Sequence, residues 1–258
     1  MLSLHAGHDS SNTSHWLPFL LAMPVLAGGY VWLTRKALRG WDHRRTAAWV
    51  AGCALVIVAT SPLFADRPGP VAHMAQHLLL GMFAPLALML AAPIRLLLAT
   101  SALPTRRVIG RVLRSRPLHF LGHPVTATAL SVGGLYAVML TPLYAAAERN
   151  AVLHLAIHLH YLLAGYLFAW SIAGPDPAPR RPGLPLRAAV LIIAAAAHSV
   201  LAKLLYAQEP GFQTAAQLMY YGGDVAELLL ATVLFRTWFR RAGSRNAPRS
   251  LRPSAVPR

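Results

Sequence analysis

The sequence predicts an all-α membrane protein, a bundle of seven transmembrane helices with the N-terminus outside and the C-terminus in the cytoplasm. The 258 residues are 56% hydrophobic and only 12% charged, with a mean hydropathy of +0.47, whereas soluble domains contain about 25% charged residues. Apolar runs of about 20 residues recur along the chain, and each is long enough to cross a bilayer. Basic residues fall mainly in alternate connections between these runs, which is typical of a polytopic protein.

The predicted transmembrane domain covers residues 16–240, between a tail of residues 1–15 and a basic tail of residues 241–258 that we expect to be disordered. The seven predicted spans are residues 16–34, 47–65, 71–94, 124–143, 152–173, 184–206 and 213–238. The connections between spans two and three, four and five, and six and seven are short. Short connections predict that these neighbours pack as antiparallel pairs.

The distribution of Lys and Arg sets the predicted orientation. The first, third and fifth connections and the C-terminal tail hold 21 of the 24 basic residues, so these parts are assigned to the cytoplasm. The formal net charge of +16 could also indicate nucleic-acid binding. The charge is divided among connections rather than gathered on one soluble surface, so we exclude nucleic acid as a partner.

The first two predicted spans contain no candidate site residues. The first apolar run precedes the first basic cluster, so it is predicted to be a retained span and not a signal peptide. The chain has one cysteine, Cys53, in the second span. It cannot form a disulfide within the chain and is interpreted as a small buried apolar side chain.

The third span and the connection after it have irregular features. Pro85 and Pro93 should each kink the span or end a helical turn, because proline removes a backbone hydrogen bond. In the connection, TRRVIGRVLRSRPLHFL places Val108 and Val112 on one side and arginines on the other. This pattern predicts a helix on the anionic surface of the membrane, in contact with lipids; an ordinary basic loop is the alternative. Asp176, in the loop GPDPAPRRP, is interpreted as a turn residue.

Two histidine pairs are the most informative feature. His73 and His77 are four residues apart at the start of the third span, so they share one helix face, and His154 and His158 repeat this spacing in the fifth. With the predicted orientation, His77 and His158 lie about 9 Å, and His198 of the sixth span about 12 Å, below the outer membrane surface. Intramembrane polar groups are costly and indicate function. We therefore expect five histidines from three helices to meet in the outer leaflet.

The seventh span contains a polar stripe. Its members follow one another at spacings of 4, 3, 4 and 3 residues and are Gln213, Gln217, Tyr220, Asp224 and Glu227. This spacing places them on one helix face, which is expected to face the bundle interior. Two adjacent carboxylates at mid-membrane would repel each other. One of Asp224 and Glu227 should therefore be protonated, or a cation or an imidazolium should lie between them.

Three interpretations of the histidines remain open. They could bind a transition metal, since imidazole suits copper and zinc, with Met74 as a soft ligand for Cu(I). They could ligate haem b axially. They could also be structural, held by hydrogen bonds to one another and to the carboxylates. The sequence contains no G-x-S-x-G, H-E-x-x-H or P-loop motif, so we do not expect an enzyme.

Several motifs resemble one family over residues 16–240. The segments are VAHMAQHLLLGMFAPLALMLAAPIRLLL, a basic loop ending in GHPV, TPLYAAAERNAVLHLAIHLHYLLAGYLFAWSIAGPDP, and YYGGDVAEL in the last span. In this respect the chain resembles the seven-span CtaG-type assembly proteins of caa3-class cytochrome c oxidase. Those proteins often have an acidic residue before the second histidine of the fifth span, where this chain has Ile157.

The resemblance implies a multi-pass protein of the bacterial plasma (inner) membrane that helps to mature a haem–copper oxidase, with oxidase subunits as partners and copper as cargo. The resemblance implies that the functional positions of the family correspond here to His73, His77, His154, His158 and Asp224. Our working hypothesis is transient copper binding by the two pairs. His198 and Met74 would be accessory ligands, and Asp224 and Glu227, with Tyr220 on the same face, would balance charge or pass protons. The alternatives are a haem b redox protein and a scaffold for oxidase subunits that binds no metal.

Overall fold

The computed structural model describes residues 17–38, 40–65, 69–178, 180–208 and 210–246. Helix makes up 87% of it, and these ranges contain no strand, which confirms the all-α prediction. The predicted N-terminal tail, with His5, His8 and His15, lies outside the described residues, as does the end of the chain from residue 247.

Thirteen α-helices occur in the described ranges. The first six are α1 (Leu17–Arg35), α2 (His43–Thr60), α3 (Pro62–Ala65), α4 (Pro70–Leu78), α5 (Ala84–Leu90) and α6 (Pro93–Thr100). The others are α7 (Leu103–Leu113), α8 (Arg116–Leu121), α9 (Pro124–Leu140), α10 (Leu143–Arg149), α11 (Ala151–Ala173), α12 (Leu184–Gln208) and α13 (Gln213–Asn246). A π-helical segment, Leu79–Phe83, joins α4 to α5.

Six continuous stretches among the described residues are long and apolar enough to cross a membrane, and a seventh is bent. The bent stretch is the predicted span 124–143, in which α9 ends at Leu140 and α10 turns away by 77°. Pro142 explains the break, because proline has no N–H to continue the helix and pushes Thr141 out of the helical region. Thr141 is indeed extended, with φ −126° and ψ 168°.

The third predicted span is broken at both prolines, as expected. Before Pro85 the helix widens into the π-helical segment, where the N–H of Ala84 donates to the carbonyl of Leu79. Before Pro93, Ala92 has a left-handed backbone with φ 56°, which is costly for a residue with a side chain. The span is therefore three short helices placed end to end.

The first break allows a close approach to α11. Pro85 has no N–H to donate to the carbonyl of Gly81, four residues earlier. A Cβ atom added to Gly165 of α11 would overlap this carbonyl oxygen and would also lie 3.0 Å from the Pro85 ring. The two backbones touch here because Gly165 has no side chain. This contact packs α11, which carries the second histidine pair, against the segment that directly follows α4 and the first pair.

The second break is held from two sides. The Asp176 carboxylate accepts hydrogen bonds from the N–H groups of Ile94 (3.1 Å) and Arg95 (2.8 Å), and the hydroxyl of Tyr30 donates to the carbonyl of Ala91 (2.7 Å). Asp176 lies in a bend after α11, in agreement with its interpretation as a turn residue, and its side chain also caps the start of α6. Burial raises the pKa of Asp176, and the two N–H donors and Arg95 act in the opposite direction.

Two other predictions can be compared directly. The third connection forms helices α7 and α8, and Val108 and Val112 of α7 are both exposed, which confirms the helix and its apolar side; its contact with lipid stays a prediction. Cys53 is only 2% exposed in α2, as expected for a buried apolar side chain. Helix α13 continues six residues past the predicted domain boundary at residue 240.

The Gly81–Gly165 contact predicts that Gly165→Ala destabilises the protein. The added methyl group must push α11 away from the π-helical segment, at a cost of about 1–3 kcal/mol, typical of an overpacked core. Thermal unfolding of the purified protein in detergent measures the change. Gly133→Ala is the matched control, because a Cβ there meets nothing within 4 Å. Equal melting temperatures for the two variants would contradict the prediction.

The Asp176 cap predicts that Asp176→Ala is more damaging than loss of an exposed cap. Two backbone N–H groups would lose their acceptor in a buried environment, and we expect a loss of about 2–4 kcal/mol in unfolding free energy. Asp42→Ala is the control, since Asp42 caps α2 at the surface and should cost about 1 kcal/mol. Equal losses in denaturant unfolding would contradict the role assigned to Asp176.

Candidate functional site

The first histidine pair points into the bundle. Helix α4 buries both His73 and His77, which are 9% and 5% exposed. The ring of His73 lies 4.7 Å from the ring of Tyr144 on α10, and the ring of His77 lies 4.9 Å from the ring of Tyr161 on α11. The four-residue spacing predicted from the sequence thus places both imidazoles against the same side chain, Tyr161 of α11.

Two further buried polar side chains, one on α12 and one on α13, extend the row that begins with His73 and His77. The ring of His77 is 6.0 Å from the ring of His198, measured between centroids. The Nδ1 atom of His198 is 3.6 Å from the Oε1 atom of Glu227. All three side chains are at least nine-tenths buried. A histidine of α4 is therefore linked through a histidine of α12 to a carboxyl group of α13.

The second pair completes the line on the other side. His154 and His158 lie 4.2 Å apart between ring centroids. His154 is also close enough to His73 for the two rings to interact electrostatically. The neighbouring pairs are thus His158 and His154, His154 and His73, His73 and His77, and His77 and His198, and we call these five residues the histidine line. Their role as metal ligands stays a prediction.

The contacts along this line are pairwise. In the part of the chain that the structure describes, no three His, Cys, Asp or Glu side chains are grouped closely enough to hold one metal ion. A tetrahedral zinc site needs three or four protein ligands. The arrangement is thus a chain of two-residue contacts rather than a preformed closed metal site.

A cavity of about 40 Å³ lies between His77 and Glu227. A volume of about 10–15 Å³ already accommodates one water-sized ligand. Four side chains give the cavity its polar lining, and they are His77, His198, Glu227 and Ser131. Gly81 and Gly165 also line it, so the backbone contact that joins α4–α5 to α11 forms part of its wall.

Several buried polar atoms along the line have no hydrogen-bond partner among the described residues. They are Nε2 of His73, both ring nitrogens of His77, Nε2 of His198 and the hydroxyl of Tyr161. Buried polar atoms are nearly always hydrogen-bonded in folded proteins. The donor set therefore fits a ligand that accepts lone pairs from imidazole, and a metal ion has this chemistry.

Glycines of α13 make room for the cluster. A Cβ atom on Gly223 would overlap the ring of His198, and one on Gly222 would lie 2.5 Å from the Leu78 side chain. The two glycines therefore allow α13 to approach its neighbours closely, and the missing side chain of Gly223 leaves room for the ring of His198.

The expectation that the whole polar stripe of α13 faces the interior was wrong. Gln213 and Gln217 are exposed, Asp224 is half-buried, and only Glu227 is buried. The inward face consists mostly of small residues instead, because α13 packs closely against its neighbours. The buried residues of this face are Ala215, Ala216, Met219, Gly223 and Ala226.

Of the predicted site residues, only His77, His198 and Glu227 line the cavity, and Met74, Tyr220 and Asp224 lie elsewhere. Met74 is fully buried in the largest hydrophobic cluster, since it is one residue, or about 100°, from His73 around the helix. Tyr220 packs against Tyr221, with the ammonium of Lys203 5.6 Å from its ring. Asp224 lies in a groove between α12 and α13 with apolar residues, and Glu227 borders both this groove and the cavity.

Tyr161 belongs to the site, although the sequence pattern did not single it out. Its ring contacts both His73 and His77, at 6.2 and 4.9 Å. The signal was present, because Tyr161 follows His158 by three residues and so shares its helix face. His160, by contrast, donates from Nε2 to the carbonyl of Leu130, 3.1 Å away on α9, and lies outside the cluster, as its position on the helix predicts.

Comparison with known proteins identifies the family. The family model described as cytochrome c oxidase caa3 assembly factor (Caa3_CtaG) matches residues 28–241. The chain belongs to the Caa3_CtaG family. The match includes all five clustered histidines and both carboxylates of α13, and it confirms the resemblance inferred from the sequence motifs.

Mycobacterial proteins of unassigned function are also similar to this Caa3_CtaG member. Uncharacterized protein Mb0105 of Mycobacterium bovis is 36% identical over 184 residues, covering 67% of this chain and 27% of the relative. Uncharacterized protein ML1998 of Mycobacterium leprae is 38% identical over 169 residues, covering 61% of this chain and 26% of the relative. The chain thus spans little more than a quarter of the length of these curated relatives. No solved structure matches it.

Proposed function

We propose that this protein is a multi-pass assembly factor of the bacterial plasma membrane that passes copper to a cytochrome c oxidase subunit along its histidine line. Membership of the Caa3_CtaG family supports the role in oxidase assembly. One structural observation carries the copper part of the proposal. Five histidines from three helices follow one another as neighbouring pairs, and the row ends beside Glu227; all of them except the partly buried His154 are buried.

The pairwise contacts favour transfer over storage. Imidazole is a suitable ligand for copper, and each neighbouring pair could supply two nitrogen ligands. Because no three potential ligands converge among the described residues, an ion would bind weakly at each pair and could move to the next. Cys53, which could have supplied a thiolate, is buried in α2 among apolar residues.

The carboxylates of α13 would balance the charge of the ion. A cation is costly inside a membrane unless an opposite charge lies nearby. The Glu227 carboxyl group is within 3.6 Å of His198, and Asp224 is close enough to Glu227 to interact with it electrostatically. Glu227, when ionised, would compensate the charge of a bound ion directly. In this role the protein acts by binding and not by catalysis.

Haem b is the less favoured cofactor. A porphyrin needs a slot much wider than the cavity of about 40 Å³ beside His77 and His198. A Soret band in the purified protein that is lost in His158→Ala would nevertheless replace copper with haem as the ligand.

Copper binding should depend on the histidine line. We expect the double variant His77→Ala/His158→Ala to bind Cu(I) at least about tenfold more weakly than the wild type, because it loses a ligand on each pair-bearing helix. A titration of the purified protein against a competing chelator measures the affinity. His43→Ala is the control, since His43 is exposed on α2. Equal copper content in all three proteins would remove the ligand assignment.

Oxidase maturation should also depend on the line. We expect cells carrying His198→Ala or Glu227→Gln to lose most oxidase activity and to recover it in medium with excess copper, since only delivery is impaired. Oxidase activity and protein level in membranes are the measurements, and His43→Ala again is the control. Full oxidase activity in the variants would favour a scaffold that binds oxidase subunits without metal.

A further inference from the structure

A second pocket lies at the basic end of the bundle, away from the histidine line. It forms where α7 and α8 meet the end of α11 and the loop that follows, and its volume is about 170 Å³. Four basic side chains line it, and they are Arg114, His119, Arg180 and Arg181. No carboxylate is among the described residues of its lining. We name it the basic pocket.

Trp170 lines the basic pocket from the bundle side. It is 6% exposed, and its Nε1–H has no hydrogen-bond acceptor among the described residues. Its ring is fixed between two glycines, because a Cβ atom would lie 2.6 Å from it at Gly122 and 2.7 Å from it at Gly174. An indole N–H only donates, and a buried donor without an acceptor is costly. Trp170 therefore forms a fixed wall of the pocket, and its N–H is a donor that lacks an acceptor among the described residues.

Arg181 is pre-positioned beside this ring. Its guanidinium donates to the carbonyls of Gly174 and Asp176 and lies over the Trp170 ring, 5.7 Å from the centroid. A guanidinium that is already ordered loses little conformational entropy when a ligand binds. The loop that carries it is anchored in turn, because the Asp176 side chain caps α6.

Arg114 and Arg180 place two positively charged side chains at the exposed edge of the pocket. Both side chains are exposed, and neither forms a salt bridge with a carboxylate in the ranges that the structure describes. Guanidinium groups bind phosphate oxygens in bidentate fashion and are the preferred protein ligands for this group. Three guanidiniums, an imidazole and an indole N–H together match an anion with several acceptor oxygens.

We propose that the basic pocket binds a phosphate group. The α7 helix beside the pocket exposes Val108 and Val112, as a helix at a lipid surface does, so the headgroup of an anionic phospholipid is one source of this group. A soluble phosphate compound is the other. Both share the chemistry that the pocket recognises, and the site is independent of copper transfer.

The experiment uses the full-length protein, purified in detergent and stripped of lipid. One arm adds inorganic phosphate; the other adds phosphatidylglycerol in mixed micelles, with phosphatidylcholine as the uncharged reference. Thermal shift and native mass spectrometry report binding. The test variant is Arg114→Gln/Arg180→Gln. Its matched control, Arg107→Gln/Arg116→Gln, removes the same charge from the same end of the bundle at residues that do not line the pocket.

We expect saturable binding of at least one ligand by the wild type. The test variant should bind at least about tenfold more weakly, because it loses two charge-assisted contacts, and the control should stay close to wild type. Trp170→Phe should weaken binding without changing the net charge. A response to phosphatidylglycerol alone identifies a lipid site, and a response to inorganic phosphate identifies a soluble ligand. No saturable response, or equal weakening in test and control variants, overturns the proposal.

Discussion

The contact between the backbones of Gly81 and Gly165 determines how the rest of the bundle is arranged. A carbonyl released by Pro85 would normally be a defect inside a membrane, where every unsatisfied backbone group is costly. Here the widened helical turn and the missing side chain of Gly165 let α11 pack directly against it. Helix α11 then packs against the π-helical segment and α5. Both histidine pairs precede this contact in their own segments, so the contact holds them near each other.

The polar groups of the bundle are concentrated rather than scattered. Histidines, a tyrosine hydroxyl and a carboxyl group share one line, and apolar clusters surround it. Buried polar groups of this kind reduce stability unless they are satisfied, so selection for stability alone would replace them with apolar residues. Under the function proposed above, these groups are satisfied while a cationic ligand is transiently bound to them.

The sequence predicted the features that depend on one helix at a time. Hydropathy located the spans, the two prolines marked both breaks in the third span, and the four-residue spacing placed His73 and His77 on one face. Features that depend on how helices are rotated against each other were harder to predict. The stripe of α13 is regular in sequence, yet only Glu227 is buried, because the small residues beside it pack more closely. The capping role of Asp176 could not be predicted for a similar reason, since the backbone N–H groups that its side chain binds are more than 80 residues away in the chain.

Glu227 separates two spaces of different character. One side of it faces the imidazoles, and the other faces the groove between α12 and α13, which opens towards the surroundings of the bundle. Glu227 is the residue that the two linings share, so its side-chain rotamer controls how far the two spaces are separated. If copper moves along the histidines as proposed, Glu227 is the position at which it would pass sideways between α12 and α13 to a neighbouring membrane protein.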